Sequence, residues 1–281
     1  MPDLGQDQRH GRSRNGANHR ETIEVINTAP QTLIVGAEAA ARNIAYRIRP
    51  AQGAGVARPG VFWLAGFNSV MTSTKVTTLD AWAEGAGRGL TRFDYSGTGL
   101  SGGRFAEGTI SRWLEESLAV FALTKSPQII VGSSMGGWLA LLLARALADK
   151  ARLAGMVLIA PAVDFTQALM WARFSKEVRA EIETKGFWRR PSAYSDDPYV
   201  ISRALIEDGR NNLLFGTALR SYCPVHILQG MQDDDVPWSH AMTLVEHLAS
   251  DPVTITLVKD GDHRLSRPQD LARLVTMVEA M

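Results

Sequence analysis

The chain has almost no cysteine, no net charge to speak of and no long apolar run, and each lack removes a class of function. Cys223 is the single cysteine among 281 residues. No internal disulfide and no multi-cysteine zinc or iron–sulfur site can form, and a reducing compartment suits the chain. Thirty basic side chains face twenty-nine acidic ones; without a field of one sign, neither nucleic acid nor an anionic membrane is the expected partner. No stretch reaches the ~18 uninterrupted apolar residues of a membrane span, since Trp138 to Ala148, the nearest, is broken by Arg145. Residues 1–20 mix Arg9, Arg12, Arg14 and Arg20 with Asp3 and Asp7 and lack the apolar middle of a secretory signal. They read as a flexible tail on a single domain, 21–281, and their acidic residues argue against a mitochondrial presequence. Bacterial cytoplasm is the expected location, with a mitochondrial one as the alternative.

What is present is apolar material for a large core: 45% of residues, enough to order a chain of this length around a deep site. Ile23 to Ile26, Thr32 to Val35 and Asn43 to Ile48 read as two or three opening antiparallel strands. Six compact apolar runs follow, Val61 to Ala65, Thr91 to Tyr95, Gln128 to Ser133, Met156 to Ala160, Val225 to Gln229 and Val253 to Lys259, as in parallel strands covered on both faces. Helical segments Lys75 to Gly87, Thr109 to Thr124, Met135 to Asp149, Ser239 to Ala249 and Arg267 to Met281 supply the crossovers. This alternation predicts an α/β fold with a mostly parallel sheet flanked by helices. The interval from about 162 to 222 interrupts it. A structureless loop of that length is improbable in a compact domain, so a small helical cap is expected between the sixth and seventh strands, with helices near Arg173 to Thr184 and Val200 to Glu207. Its aromatic residues, Phe165, Trp171, Phe174, Phe187, Trp188, Tyr194 and Tyr199, either fill the cap or line a pocket.

Two stretches match G-x-S-x-G, centred on Ser101 and Ser134. The pattern is weak alone, and its context decides. Ile129 to Val131 form a β-branched run ending at Gly132, and Met135 opens an Ala- and Leu-rich helix. Strand, sharp turn and helix are what lift a nucleophilic serine into the open. Ser101 instead lies in a glycine-rich stretch that cannot start a stable helix, and no Gly-Lys-Ser/Thr follows that would make it a phosphate loop. Ser134 is therefore the expected nucleophile.

A serine needs an imidazole to take its proton. His10 and His19 lie in the tail, His226 inside a strand, and His240 and His247 on one helix at a spacing that does not suit a metal pair. His263 lies in a polar turn after the last strand, where a side chain can project over the C-terminal edge of the sheet, and is the expected base. The orienting acid belongs after a strand between the two. Of Asp233, Asp234 and Asp235, Asp233 stands closest to the sheet edge; Asp164 is the reserve. The acidic run could also read as a weak Ca²⁺ or Mg²⁺ site, but its spacing fits no EF-hand loop. Two backbone amides should bind the oxyanion: Met135, directly after the nucleophile, and Phe67, in the loop leaving Val61 to Ala65. Trp138, beside the turn, and Trp171, in the insertion, are candidate substrate-binding side chains.

Phe62-Trp-Leu-Ala-Gly-Phe67, Arg92-Phe-Asp-Tyr-Ser-Gly-Thr-Gly99, Val131-Gly-Ser-Ser-Met-Gly-Gly-Trp138, Gly230-Met-Gln-Asp-Asp-Asp-Val-Pro-Trp238 and Asp262-His-Arg264 together resemble the α/β-hydrolase superfamily, most of all its mitochondrial palmitoyl-protein thioesterases. The resemblance runs from about residue 43 to the end. It implies a serine acyl hydrolase that uses no metal or organic cofactor, with its triad at Ser134, Asp233 and His263. The implied substrate is a small-molecule ester or thioester, or an acylated protein. Ala65-Gly66 stands where the common oxyanion loop carries His-Gly. A general carboxylesterase for small oxyesters is the competing enzyme; a non-catalytic ligand binder on the same fold would need no serine, base and acid in register.

Overall fold

The computed structural model describes residues 29–190 and 198–281; the expected tail, the expected strand Ile23 to Ile26 and Tyr194 lie outside them. β1 (Gln31–Val35), β2 (Arg42–Arg49), β3 (Gly60–Leu64), β4 (Leu90–Phe93), β5 (Gln128–Ser133), β6 (Leu153–Ile159), β9 (Val225–Gly230) and β10 (Val253–Val258) build one sheet in the order β1-β2-β4-β3-β5-β6-β9-β10. Pairing is antiparallel from β1 through β2 to β4 and parallel from β4 to β10. The apolar runs account for this arrangement. All residues of β3 and β5 are buried, as a strand covered on both faces must be. β1 and β2, at the edge, keep exposed positions.

Five crossover helices cover the sheet: α1 (Thr74–Gly85), α2 (Ile110–Ala122), α3 (Met135–Ala146), α6 (Trp238–His247) and α7 (Pro268–Glu279). α3 is buried continuously from Met135 to Ala144, which explains a segment apolar on every side. It packs on α2, and α1 packs on α7. From β3 the chain steps to β4 on one side and takes up β5 on the other. The crevice at such a switch, beyond the C-terminal ends of the strands, is where doubly wound sheets hold ligands.

Between β6 and β9 lies an insertion with structure of its own: a π-helical turn (Thr166–Met170), a 3₁₀ turn (Trp171–Arg173), α4 (Lys176–Lys185), a hairpin of β7 (Phe187–Arg190) with β8 (Tyr199–Ser202), and α5 (Arg203–Arg210). The hairpin differs from the expected purely helical insertion. Tyr199, Val200 and Ile201 favour a pleated surface over a helix. The helix expected from Val200 therefore starts only at Arg203, where Ser202 caps it by accepting the Leu205 amide at 3.1 Å. Gly186, at φ 83°, ends α4 in the left-handed conformation and turns the chain into β7. The return segment is stapled by Asp164, whose carboxylate accepts the amides of Leu214 and Phe215 at 2.8–3.1 Å.

Candidate active site

Ser134 joins β5 to α3 with φ 53° and ψ −117°, a conformation that L-residues adopt only when the surroundings enforce it. Three backbone bonds enforce it here. The Ser134 amide donates to the Ile159 carbonyl at 2.8 Å, and its carbonyl accepts the amides of Gly137 at 2.8 Å and Ala162 at 3.1 Å. No side chain fits beneath the turn: a Cβ on Gly132 would collide with the Gly136 carbonyl, and one on Gly136 with the Leu64 carbonyl. The chain thus turns tightly enough to leave the Ser134 side chain partly exposed.

Two loops at the same sheet edge bring the other groups. His263 follows β10 and Asp233 follows β9, and the loops are tied by the Gln232 amide donating to the Gly261 carbonyl at 2.8 Å. His263 Nε2 lies 3.1 Å from Ser134 Oγ, and Nδ1 lies 2.8 Å from Asp233 Oδ2. An ionised carboxylate only accepts, so Nδ1 carries the proton and Nε2 is left to accept one from the serine hydroxyl. Asp233 is buried and well supplied with donors. Its Oδ1 accepts the Val236 amide at 2.8 Å, and its Oδ2 is approached by Gln229 Nε2 at 3.3 Å.

Beyond β3, Gly66 lies against the turn: a Cβ placed there would stand 3.5 Å from the Ser134 Cβ. Asn68 takes a left-handed φ of 55°, and the Phe67 ring packs edge-on or tilted against Phe105, Trp113, Phe165 and Tyr199 at centroid distances of 4.9–5.8 Å. The Gly66–Phe67 backbone is thereby fixed beside the serine. Met135 opens α3, so its amide is among those a helix leaves without an internal partner.

The rival residues are committed elsewhere. Ser101 Oγ donates to the Asp94 carbonyl at 2.6 Å and accepts the Ala45 amide at 2.8 Å, which binds its loop to the sheet. Asp164 holds the insertion. His226, His240 and His247 contact Thr256 Oγ1, the Val163 carbonyl and the Thr243 carbonyl. Burial disfavours the charged form of both His226 and His240. Trp138 departs from the expectation that it lines the pocket: it is fully buried, its indole N–H donates to the Asn212 carbonyl at 3.2 Å, and its ring meets Phe165 edge-on. As a helix residue directed into the core, it anchors the return of the insertion. Trp171 packs edge-on to Phe174 beneath the guanidinium groups of Arg179 and Arg210.

Three supporting residues escape sequence reasoning. Gln229 binds the Gly230 and Val236 carbonyls beside Asp233; a polar residue ending an apolar strand was its only signal. Arg173 Nη1, from the insertion, donates to the carbonyls of Asp234 at 3.0 Å and Asp235 at 3.2 Å. Lys75 Nζ donates to the Arg264 carbonyl at 2.6 Å. Asp233, Asp235 and His263 bring donor atoms within 4.8 Å of one another, close enough to share a cation. The imidazole and the Asp233 oxygens are already bonded to each other and to Ser134 and Val236, so an ion there would have to displace those hydrogen bonds.

This fold, with serine, histidine and aspartate aligned at the edge of its sheet, is that of an α/β hydrolase. The model of the family described as serine aminopeptidase, S33, matches residues 58–270; the chain belongs to that family and is a hydrolase. Mitochondrial palmitoyl-protein thioesterase ABHD10 of Homo sapiens is 33% identical over 223 residues, covering 79% of this chain and 72% of that protein. A crystal structure from Agrobacterium vitis S4 matches with a TM-score of 0.85 at 50% identity, over 90% of this chain and 98% of the other. Mouse alpha/beta hydrolase domain-containing protein 10 matches with a TM-score of 0.77 at 30% identity, over 89% and 97%. An esterase or thioesterase activity is the function these relatives support. Among the described residues no helix is long and apolar enough to cross a membrane.

Proposed function

We propose that the protein is a serine acyl hydrolase that cleaves thioesters or carboxylic esters through an acyl-enzyme on Ser134. The observation that carries this reading is the unbroken relay from Ser134 Oγ through His263 to Asp233, at 3.1 and 2.8 Å. As Ser134 Oγ bonds to the acyl carbonyl carbon, its proton passes to His263 Nε2 and Asp233 stabilises the imidazolium. The amides of Met135 and Phe67 receive the developing oxyanion. The proton then goes to the departing thiolate or alkoxide. Water, deprotonated by the same imidazole, releases the acid and restores the serine.

The named activity of the palmitoyl-protein thioesterase relatives supports a long-chain S-acyl substrate, small or protein-borne. The insertion between β6 and β9 is the cap of this site. The lone Cys223 and the absence of any other thiol support a reducing compartment such as bacterial cytoplasm. The rings crowded around Phe67 beside the serine turn favour a second reading, a carboxylesterase for small oxyesters. A fluorophosphonate probe should label the protein at Ser134 and fail to label Ser134→Ala. Turnover of thioester and oxyester series then chooses between the readings: a long apolar groove gains about 0.8 kcal/mol per buried CH₂, whereas a flat profile favours the small-oxyester enzyme.

A further inference from the structure

Lys75 stands in the first turn of α1, a turn without acidic residues, where the helix amides already present positive charge and a cation is unfavourable. From there its half-buried side chain reaches across to the loop after β10. Nζ donates to the Arg264 carbonyl at 2.6 Å and lies 3.4 Å from Ser266 Oγ. Arg264 directly follows His263 in the chain. Burial, and after it the charge of Arg264, push the ammonium from 10.5 down to about 8, against an opposing pull from Asp262. Arg264 and Asp262 are the charged groups that face it from the loop. On α7, also packed against α1, Arg273 is engaged with Asp270, and Arg267, which caps that helix, with Asp270 and Asp260. Lys75 therefore defies the local electrostatics on several counts, and such departures concentrate where function compensates them.

We propose that Lys75 is a positioning residue for His263: its ammonium pins the Arg264 carbonyl and so keeps the imidazole between Asp233 and Ser134. The proposal rests on the acyl-hydrolase reading above. It carries a signature that a merely structural lysine would not. The unfolded chain binds the Lys75 proton more tightly than the folded chain, so its charge costs stability in full below about pH 8, a cost that fades toward 10.5. Removing the charge at neutral pH should leave heat stability equal or higher while turnover falls.

The experiment is steady-state ester hydrolysis and thermal unfolding of the full chain, comparing wild type, Lys75→Met, Lys75→Arg and Ser134→Ala. For Lys75→Met, kcat should drop about 10- to 100-fold, the effect of a misplaced reacting group, with KM little changed and Tm not lowered. Lys75→Arg should restore much of kcat at neutral pH. Because the charged ammonium holds the carbonyl more firmly than a neutral amine would, wild-type kcat should begin to fall near pH 8, and Lys75→Arg should move that fall to higher pH, since a guanidinium keeps its charge there. A Lys75→Met kcat within about twofold of wild type overturns the proposal. So does an alkaline limb that Lys75→Arg leaves in place, a test that holds even if Lys75→Met does not fold. Full turnover by Ser134→Ala would instead sink the acyl-hydrolase reading, whereas a dead Ser134→Ala beside an unaffected Lys75→Met sinks only the positioning role.

Discussion

Ser134 is held by main chain: three backbone hydrogen bonds and two glycines with no room for a Cβ fix its turn between a fully buried strand and a fully buried helix start. His263 sits on a partly exposed loop whose neighbours are held by long side chains, Lys75 on the Arg264 carbonyl and, across the site, Arg173 on the carbonyls of Asp234 and Asp235. The two regions meet at 3.1 Å but should fail differently. Damage to the serine turn unfolds the packing around it. Damage to the loops leaves a folded protein whose relay is out of line.

Ser134→Ala is the largest expected loss because it removes the proposed nucleophile without disturbing the turn: kcat should fall by about 10⁴-fold or more at unchanged Tm, read by ester hydrolysis and thermal unfolding. Asp233→Asn should follow closely, at roughly 10³- to 10⁴-fold. An amide presents a donor where His263 Nδ1–H needs an acceptor, so the tautomer that leaves Nε2 free is lost; a variant retaining most of its activity would remove Asp233 from the relay. Gly136→Ala breaks the turn from beneath. Its methyl would have to displace the backbone carbonyls of Leu64 and Ala65, at a cost of about 3 kcal/mol or more, seen as a lower urea midpoint. If activity fell while that midpoint stayed put, the contrast drawn between turn and loop would be wrong.

The same contrast explains what could be read from sequence. Ser134 was legible because its geometry is written locally: a β-branched run, two small residues and a helix, all within Ile129 to Leu143. His263 and Asp233 were legible by chain order and by their places after strands. The sheet followed from apolar runs, whose ends in β3, β5 and β9 lie within a residue or two of expectation. Hidden residues act across the fold. Lys75 and Arg264 are 189 positions apart, and Arg173 and Asp234 are 61 apart, so no local pattern links them. Trp138 misled for the opposite reason. Its nearness to Ser134 in sequence suggested a pocket, but the direction of a helical side chain is set by what packs on the helix, and here the return of the insertion, through Asn212 and Phe165, covers it in the core. In the insertion, the β7–β8 hairpin was hidden because each of its strands is only four residues long, too short for a clear alternation.

The smallest effect is expected from Arg173→Met, which tests whether the insertion helps to place the acid. Arg173 is exposed, and its two hydrogen bonds go to carbonyls of Asp234 and Asp235 rather than to the Asp233 carboxylate. That carboxylate keeps the Val236 amide, Gln229 and His263 in any case. Solvent-exposed ionic contacts contribute about 1 kcal/mol or less. Activity toward a small ester should therefore change by only about three- to fivefold, since 1.4 kcal/mol corresponds to a factor of ten. Arg173 also ties the 3₁₀ turn of the insertion to the β9 loop, so a bulky acyl substrate should register the loss more than a small one. Equal, small changes for both would mean that the insertion contributes nothing through this contact. A loss approaching that of Lys75→Met would mean that the acid loop depends on side-chain tethers as much as the histidine loop does.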